Sequence, residues 1–153
     1  MRSLDLEVPP PLVALLIGLC MWLASSLVEP NAVPFGLRLG VAVALAVVGV
    51  AVGLAGIVSF LRARTTINPT TPSATSALVT SGVFRLTRNP MYLSLLLYLL
   101  AWAAYLSNWL ALLLVPVFVL FISAFQIKPE ERALSSLFGA EYESYKARVR
   151  RWL

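Results

Sequence analysis

Side chains able to do chemistry gather at two places in this chain: the stretch Gly82–Tyr92, reading GVFRLTRNPMY, and the acid pair Glu130-Glu131. Arginines, an Asn-Pro step and a tyrosine are costly beside hydrocarbon unless they face protein, water or a ligand. What they could do is narrowed by what is missing. The chain has no His, which removes the commonest general base at neutral pH and the commonest metal ligand. Its single cysteine, Cys20, lies inside an apolar run, so neither an intramolecular disulfide nor a thiolate cluster can form and no metal site is expected. Acid–base and binding work must come from Glu, Asp, Tyr, Arg, Lys and backbone groups.

The elements that position these residues are apolar. Hydrophobic residues make up 59% and charged residues 12% of the chain, against about 25% charged in an ordinary soluble domain, so the composition is that of an integral membrane protein. Apolar segments run over 11–28, 37–61, 91–106 and 109–127, each near the ~20 residues needed to cross the hydrocarbon core. Ser107-Asn108 leaves room only for a tight outer turn, so the last two segments form a helical hairpin, and Pro116 is expected to kink the second of them. With the N-terminus inside, every Lys and Arg except Arg38 falls on one side. That predicts a multi-pass protein, N-in and C-in, and explains the basic balance by topology rather than by nucleic acid. The opening MRSLDLEVPPP offers no small-residue cleavage site, so the first segment reads as a retained span. The expected fold is all-α: one membrane domain over 1–153, an integral bundle of four spans with cytosolic amphipathic C-terminal helices. It divides into two N-terminal spans (11–61), a cytosolic loop (62–89), the hairpin (90–127) and a tail (128–153).

Within this frame the second span carries Gly36, Gly40, Gly49, Gly53 and Gly56 with Ala42 and Ala46. Residues 42, 46, 49, 53 and 56 follow helical spacing and make a seam of small side chains that lets two helices approach closely, either inside the chain or in a homodimer. The loop is rich in Thr, Ser and Pro, with Pro69 and Pro72 forbidding a continuous helix. Its apolar Ala77-Leu78-Val79 and Val83-Phe84 suggest a segment packed on the bundle or over a ligand. In the tail, Leu134, Leu137, Phe138, Tyr142, Tyr145, Val149 and Trp152 recur at helical spacing among basic residues, a pattern suited to lying on an anionic leaflet. Pro129 and the two glutamates after it fit a helix N-terminus, and Gly139 separates two helical pieces.

The hairpin brings the start of the third span and the end of the fourth to one interface. Arg85, Arg88, Asn89, Tyr92, Gln126, Lys128, Glu130, Glu131 and Arg132 can converge there. Two readings stay open from physics: topological arginines and lysines with capping acids, or a ligand site.

The run ALVTSGVFRLTRNPMY, followed after the hairpin by EERALSSLFGAEYESYKARVRRWL, resembles the C-terminal half of the isoprenylcysteine carboxyl methyltransferase family and related membrane phospholipid methyltransferases. The resemblance covers Ser76–Trp152. It implies S-adenosylmethionine as cofactor, held among the last two spans and the cytosolic segments flanking them. Position by position, it implies cofactor contacts at Ser76, Ala77, Leu78, Val79 and Phe84, at Asn89, Pro90, Met91 and Tyr92, and at Glu130. The candidate catalytic set is Glu130, Glu131, Arg132 and Gln126. Gln126 stands where carboxyl methyltransferases place a substrate-engaging Arg, with Lys128 or Arg132 as substitutes; Asn89 replaces a usual His, Phe84 a common Tyr and Ser94 a frequent Gly. Methyl transfer needs mainly alignment and exclusion of water. A carboxylate acceptor needs no base, which suits a chain without His. The expected substrate is therefore a carboxylate on a lipophilic or lipidated molecule entering from the membrane lipids. The alternatives are a phospholipid or amine N-methyltransferase, with Glu130 or Glu131 taking the proton, and a non-enzymatic scaffold dimerising through the glycine seam.

Overall fold

The computed structural model describes residues 8–63 and 77–153. Every regular element among them is helical: α1 (Pro10–Ser25), α2 (Phe35–Ala63), a 3-10 turn at Gly82–Arg85, α3 (Pro90–Leu106), α4 (Trp109–Leu113), α5 (Val115–Ile122), α6 (Lys128–Phe138) and α7 (Ala140–Arg148). α2 and the run Trp109–Phe138 are long and apolar enough to cross a bilayer, and α1 and α3 are shorter apolar helices. Their outer faces expose side chains such as Leu15, Val47, Leu61 and Leu120, surfaces that only an apolar partner or lipid would cover.

The glycine seam of α2 is spent within the chain. Gly49, Gly53 and Gly56 face Tyr98, Ser94 and Pro90 of α3, so close that a Cβ would lie 3.0 Å from the Tyr98 ring and 2.9 Å from Ser94 Oγ. Absent side chains here are what let the two backbones approach. Gly36 and Gly40, at the other end of the seam, meet nothing within 4 Å.

On the far side of α3, α1, α4 and α5 complete a core around Met21, Leu99, Phe118 and Ile122. At one end of the bundle the two turns are stitched together. Asn31 N–H donates to the Ser107 carbonyl, and Asn108 Nδ2 donates to the Val28 carbonyl at 2.9 Å. Asn108 Oδ1 meanwhile caps α4 by accepting from Leu110 N–H at 2.9 Å. Ser107 turns the chain in the left-handed region, which makes the hairpin as tight as its two-residue linker suggested.

The last apolar segment departs from expectation. The interruption due to Pro116 falls two residues earlier, at Leu114, because a proline disturbs the turn before it. The helix then does not stop at Ile127 but runs on through a π turn, Ser123–Ile127, into α6. Glu130 and Glu131 thus ride on a continuous rod rather than at a free helix start. Pro129 has no N–H to give the preceding turn, and the wide turn is where the hydrogen-bond ladder absorbs that loss.

At the end opposite those two stitched turns the tail folds back. Gly139, in the left-handed region, ends α6 and reverses the chain into α7, a conformation glycine adopts without strain. Tyr142 and Tyr145 of α7 are buried with Val79 and Phe84, and Phe60, Leu134 and Val149 pack against them. The tail's aromatic face therefore covers the described part of the loop, not a membrane surface.

Candidate functional site

Residues 77–89 are shaped by a few contacts. The 3-10 turn delivers Phe84 inward, edge-on to Phe60 with centroids 5.2 Å apart, and the Tyr145 hydroxyl donates to the Phe84 carbonyl at 2.7 Å. Thr87 is fully buried. Its Oγ1 accepts from Asn89 N–H at 3.1 Å and donates to the Arg151 carbonyl at 3.3 Å. Asn89 then leads into Pro90, whose fixed φ and missing N–H suit the first turn of α3.

These segments, α2, α3, α6, α7 and the start of α1 enclose a cavity of about 720 Å³, within the ~300–1,000 Å³ of small-molecule sites. Its ends differ. Arg88, Asn89, Tyr92, Glu130, Glu131, Tyr142 and Tyr145 line one end, while Val50, Gly53, Leu54, Ile57, Leu95 and Tyr98 line an apolar arm along α2 and α3. Ser94 faces the arm as well.

The polar end rests on two carboxylates with different partners. Tyr92 Oη donates to Glu130 Oε1. Glu131 is instead neutralised: Arg151 grips it with Nη2 at 2.7 Å and Nε at 3.1 Å, and Arg88 Nη2 reaches it at 3.1 Å. Arg88 is the one Lys or Arg in the lining among the described residues. Its side chain is 11% exposed, and its Nε and Nη1 are buried without a hydrogen-bond partner among those residues. Burial also raises the phenols of Tyr142 and Tyr145, which stay protonated.

Of the residues singled out from sequence, Ala77, Leu78, Val79, Phe84, Asn89, Pro90, Met91, Tyr92, Glu130 and Glu131 line this one cavity. Ser76 lies outside the described residues. Asn89 has already committed its side-chain amide, donating from Nδ2 to the Arg151 carbonyl at 2.9 Å. Gln126 and Arg132 are not in the lining. Gln126 is fully buried and donates from Nε2 to the Val8 carbonyl at 2.8 Å, tying the chain ahead of α1. Gln126 lies in the π turn, and its amide is spent on the Val8 carbonyl rather than on the cavity that Glu130 lines. Arg132 is exposed in a neighbouring surface groove with Lys128, Glu131, Ser135 and Lys146.

The sequence brings Arg88 to this mouth, as found, but does not place Leu134, Tyr142 and Tyr145 in the lining, nor the whole apolar arm. The tyrosines carry a signal in their three-residue spacing, which from sequence alone reads equally as a membrane-facing stripe.

Comparison with known proteins adds to this picture. Residues 37–141 match the phospholipid methyltransferase family. An uncharacterized protein from Haemophilus influenzae is 60% identical over 63 residues, which is 41% of this chain and 100% of that protein. No solved structure matches.

Proposed function

We propose, for a chain that belongs to the phospholipid methyltransferase family, S-adenosylmethionine-dependent methyl transfer to an amine carried on a lipid. The observation that carries this reading is the two-ended cavity, with buried acids and an arginine at one end and an apolar arm between α2 and α3 at the other. Such a space suits a polar cofactor reached from water beside an acyl chain reached from the bilayer. Four spans with both termini and the polar end on the cytoplasmic side would serve that arrangement.

The residues present fit the cofactor. S-adenosylmethionine, when bound, supplies an electrophilic methyl group on a sulfonium cation. Glu130 offers a carboxylate to its positive groups, Phe84, Leu78 and Val79 an apolar wall for the adenine, and Arg88 unspent donors for an anionic group. Tyr92 fixes the orientation of Glu130 through its hydroxyl. Phe84, Tyr142 and Tyr145, buried over this end, would keep water from the reacting atoms.

The acceptor follows from what the carboxylates can do. Gln126 is turned from the cavity toward Val8, so nothing at that position greets a carboxylate substrate. Glu130 lines the cavity beside Tyr92 and suits a group that takes a proton from an ammonium acceptor so that its nitrogen lone pair can attack. This favours an amine over the carboxylate that the missing His suggested. Incubation of the purified protein with methyl-labelled cofactor and a membrane lipid extract tests the reading. A lipid whose label is not released as methanol by mild base, as an N-methyl group is not, is the expected product; label released as methanol would mark a methyl ester and would restore the carboxylate acceptor.

A further inference from the structure

The C-terminal residues Arg150–Trp152 follow α7 without regular structure, yet they are among the most heavily bonded in the protein. Arg88 N–H donates to the Arg150 carbonyl at 3.0 Å. The Arg151 carbonyl accepts from both Thr87 and Asn89. Trp152 Nε1 lies 3.4 Å from Ser123 Oγ. The tail is a strap across the residues that lead into α3, and neither Arg150 nor Arg151 lines the cavity.

Glu131 is where the strap touches the chemistry. Its carboxylate has two oxygens, and Arg151 takes both, Nε to Oε1 and Nη2 to Oε2, the forked geometry that guanidinium and carboxylate favour. Arg88 is left a single end-on contact, Nη2 to Oε1. Without Arg151, the freed Oε2 would be open to a second Arg88 nitrogen, and the paired arginine would turn toward Glu131. With Arg151 in place, Arg88 keeps Nε and Nη1 free while lining the cavity. A buried cation with unused donors is an anion site.

We infer that Arg151 is a positioning residue: by occupying Glu131 in a fork it keeps Arg88 available to bind the anionic group of the cofactor, its carboxylate. The inference rests on the cofactor reading above and extends it to a residue outside the pocket.

The test compares binding of S-adenosylmethionine with that of its decarboxylated analogue, which keeps the sulfonium and adenine. Wild-type protein should prefer the carboxylated form by about tenfold or more, the worth of a charge-assisted hydrogen bond. Arg88→Gln should abolish that preference. Arg151→Ala should reduce it toward unity by weakening only the carboxylated ligand, and Arg151→Lys, which cannot form the fork, should give an intermediate value if the alanine variant does not fold. A merely structural role for Arg151 would weaken both ligands alike. That result, or an unchanged preference in the Arg151 variants or in Arg88→Gln, would overturn the inference while leaving the cofactor reading intact. Failure of folded wild-type protein to bind either ligand would overturn both.

Discussion

Helix α3 is gripped on two sides by different physics. Pro90, Ser94 and Tyr98, at four-residue spacing, meet the glycines of α2 in a seam with little room for a Cβ. Tyr92 points about 200° around the helix from Pro90 and meets Glu130, carried by the rod that begins at Trp109. The seam stores proximity and no chemistry. The polar side stores a carboxyl bonded to Tyr92, a second paired with two arginines, and an arginine with donors to spare. Damage to the first should cost the fold and the site together, and damage to the second should cost the site alone.

The sharpest break in that comparison is Gly49→Leu. A Cβ there already lies 3.0 Å from the Tyr98 ring, and overpacking costs about 1–3 kcal/mol or more. Thermal unfolding in detergent should show a lowered midpoint with cofactor binding lost in parallel. Glu130→Gln should do the reverse, lowering methyl transfer by about 10²-fold or more with the fold retained. A smaller effect sharpens the seam. Gly53→Ala places a methyl 2.9 Å from Ser94 Oγ and should destabilise, while the added change Ser94→Gly removes that clash. The pair should be non-additive by about 0.5 kcal/mol or more in a double-mutant cycle.

The pH dependence separates the two sides as well. Methyl transfer to an ammonium acceptor needs Glu130 as the ionised carboxylate, so its initial rate should rise with pH and Glu130→Gln should flatten that rise, while the seam variants should leave the shape of the profile unchanged. Smallest of all, Tyr145→Phe removes one hydrogen bond to the Phe84 carbonyl, worth about 1 kcal/mol, and should appear as faster amide exchange near Gly82–Arg85.

How far each side could be read from sequence follows from the same contrast. Glycine spacing on α2 and the apolar stretches are local patterns, so the helices and the seam were legible, and so was the meeting of Tyr92 with Glu130 once the hairpin was drawn. Gln126 lies in a π turn and is tied to the Val8 carbonyl, a partner so distant in sequence that no local pattern records it. The strap was illegible for another reason: Arg151 reaches Glu131 and the Arg151 carbonyl reaches Asn89 through a reversal at Gly139, and no periodicity records which way a tail folds. The aromatic stripe of Tyr142 and Tyr145 was visible, but its choice between lipid and the 77–85 segment is made only by packing.

The most direct measurement is saturable binding of labelled S-adenosylmethionine to the purified, folded protein, with Tyr92→Ala and Glu130→Gln alongside. Saturable binding by the wild type, weakened in both variants at unchanged secondary structure, is the predicted result. No saturable binding by the folded wild type, or equal affinity in all three, would contradict a cofactor pocket between α3 and α6.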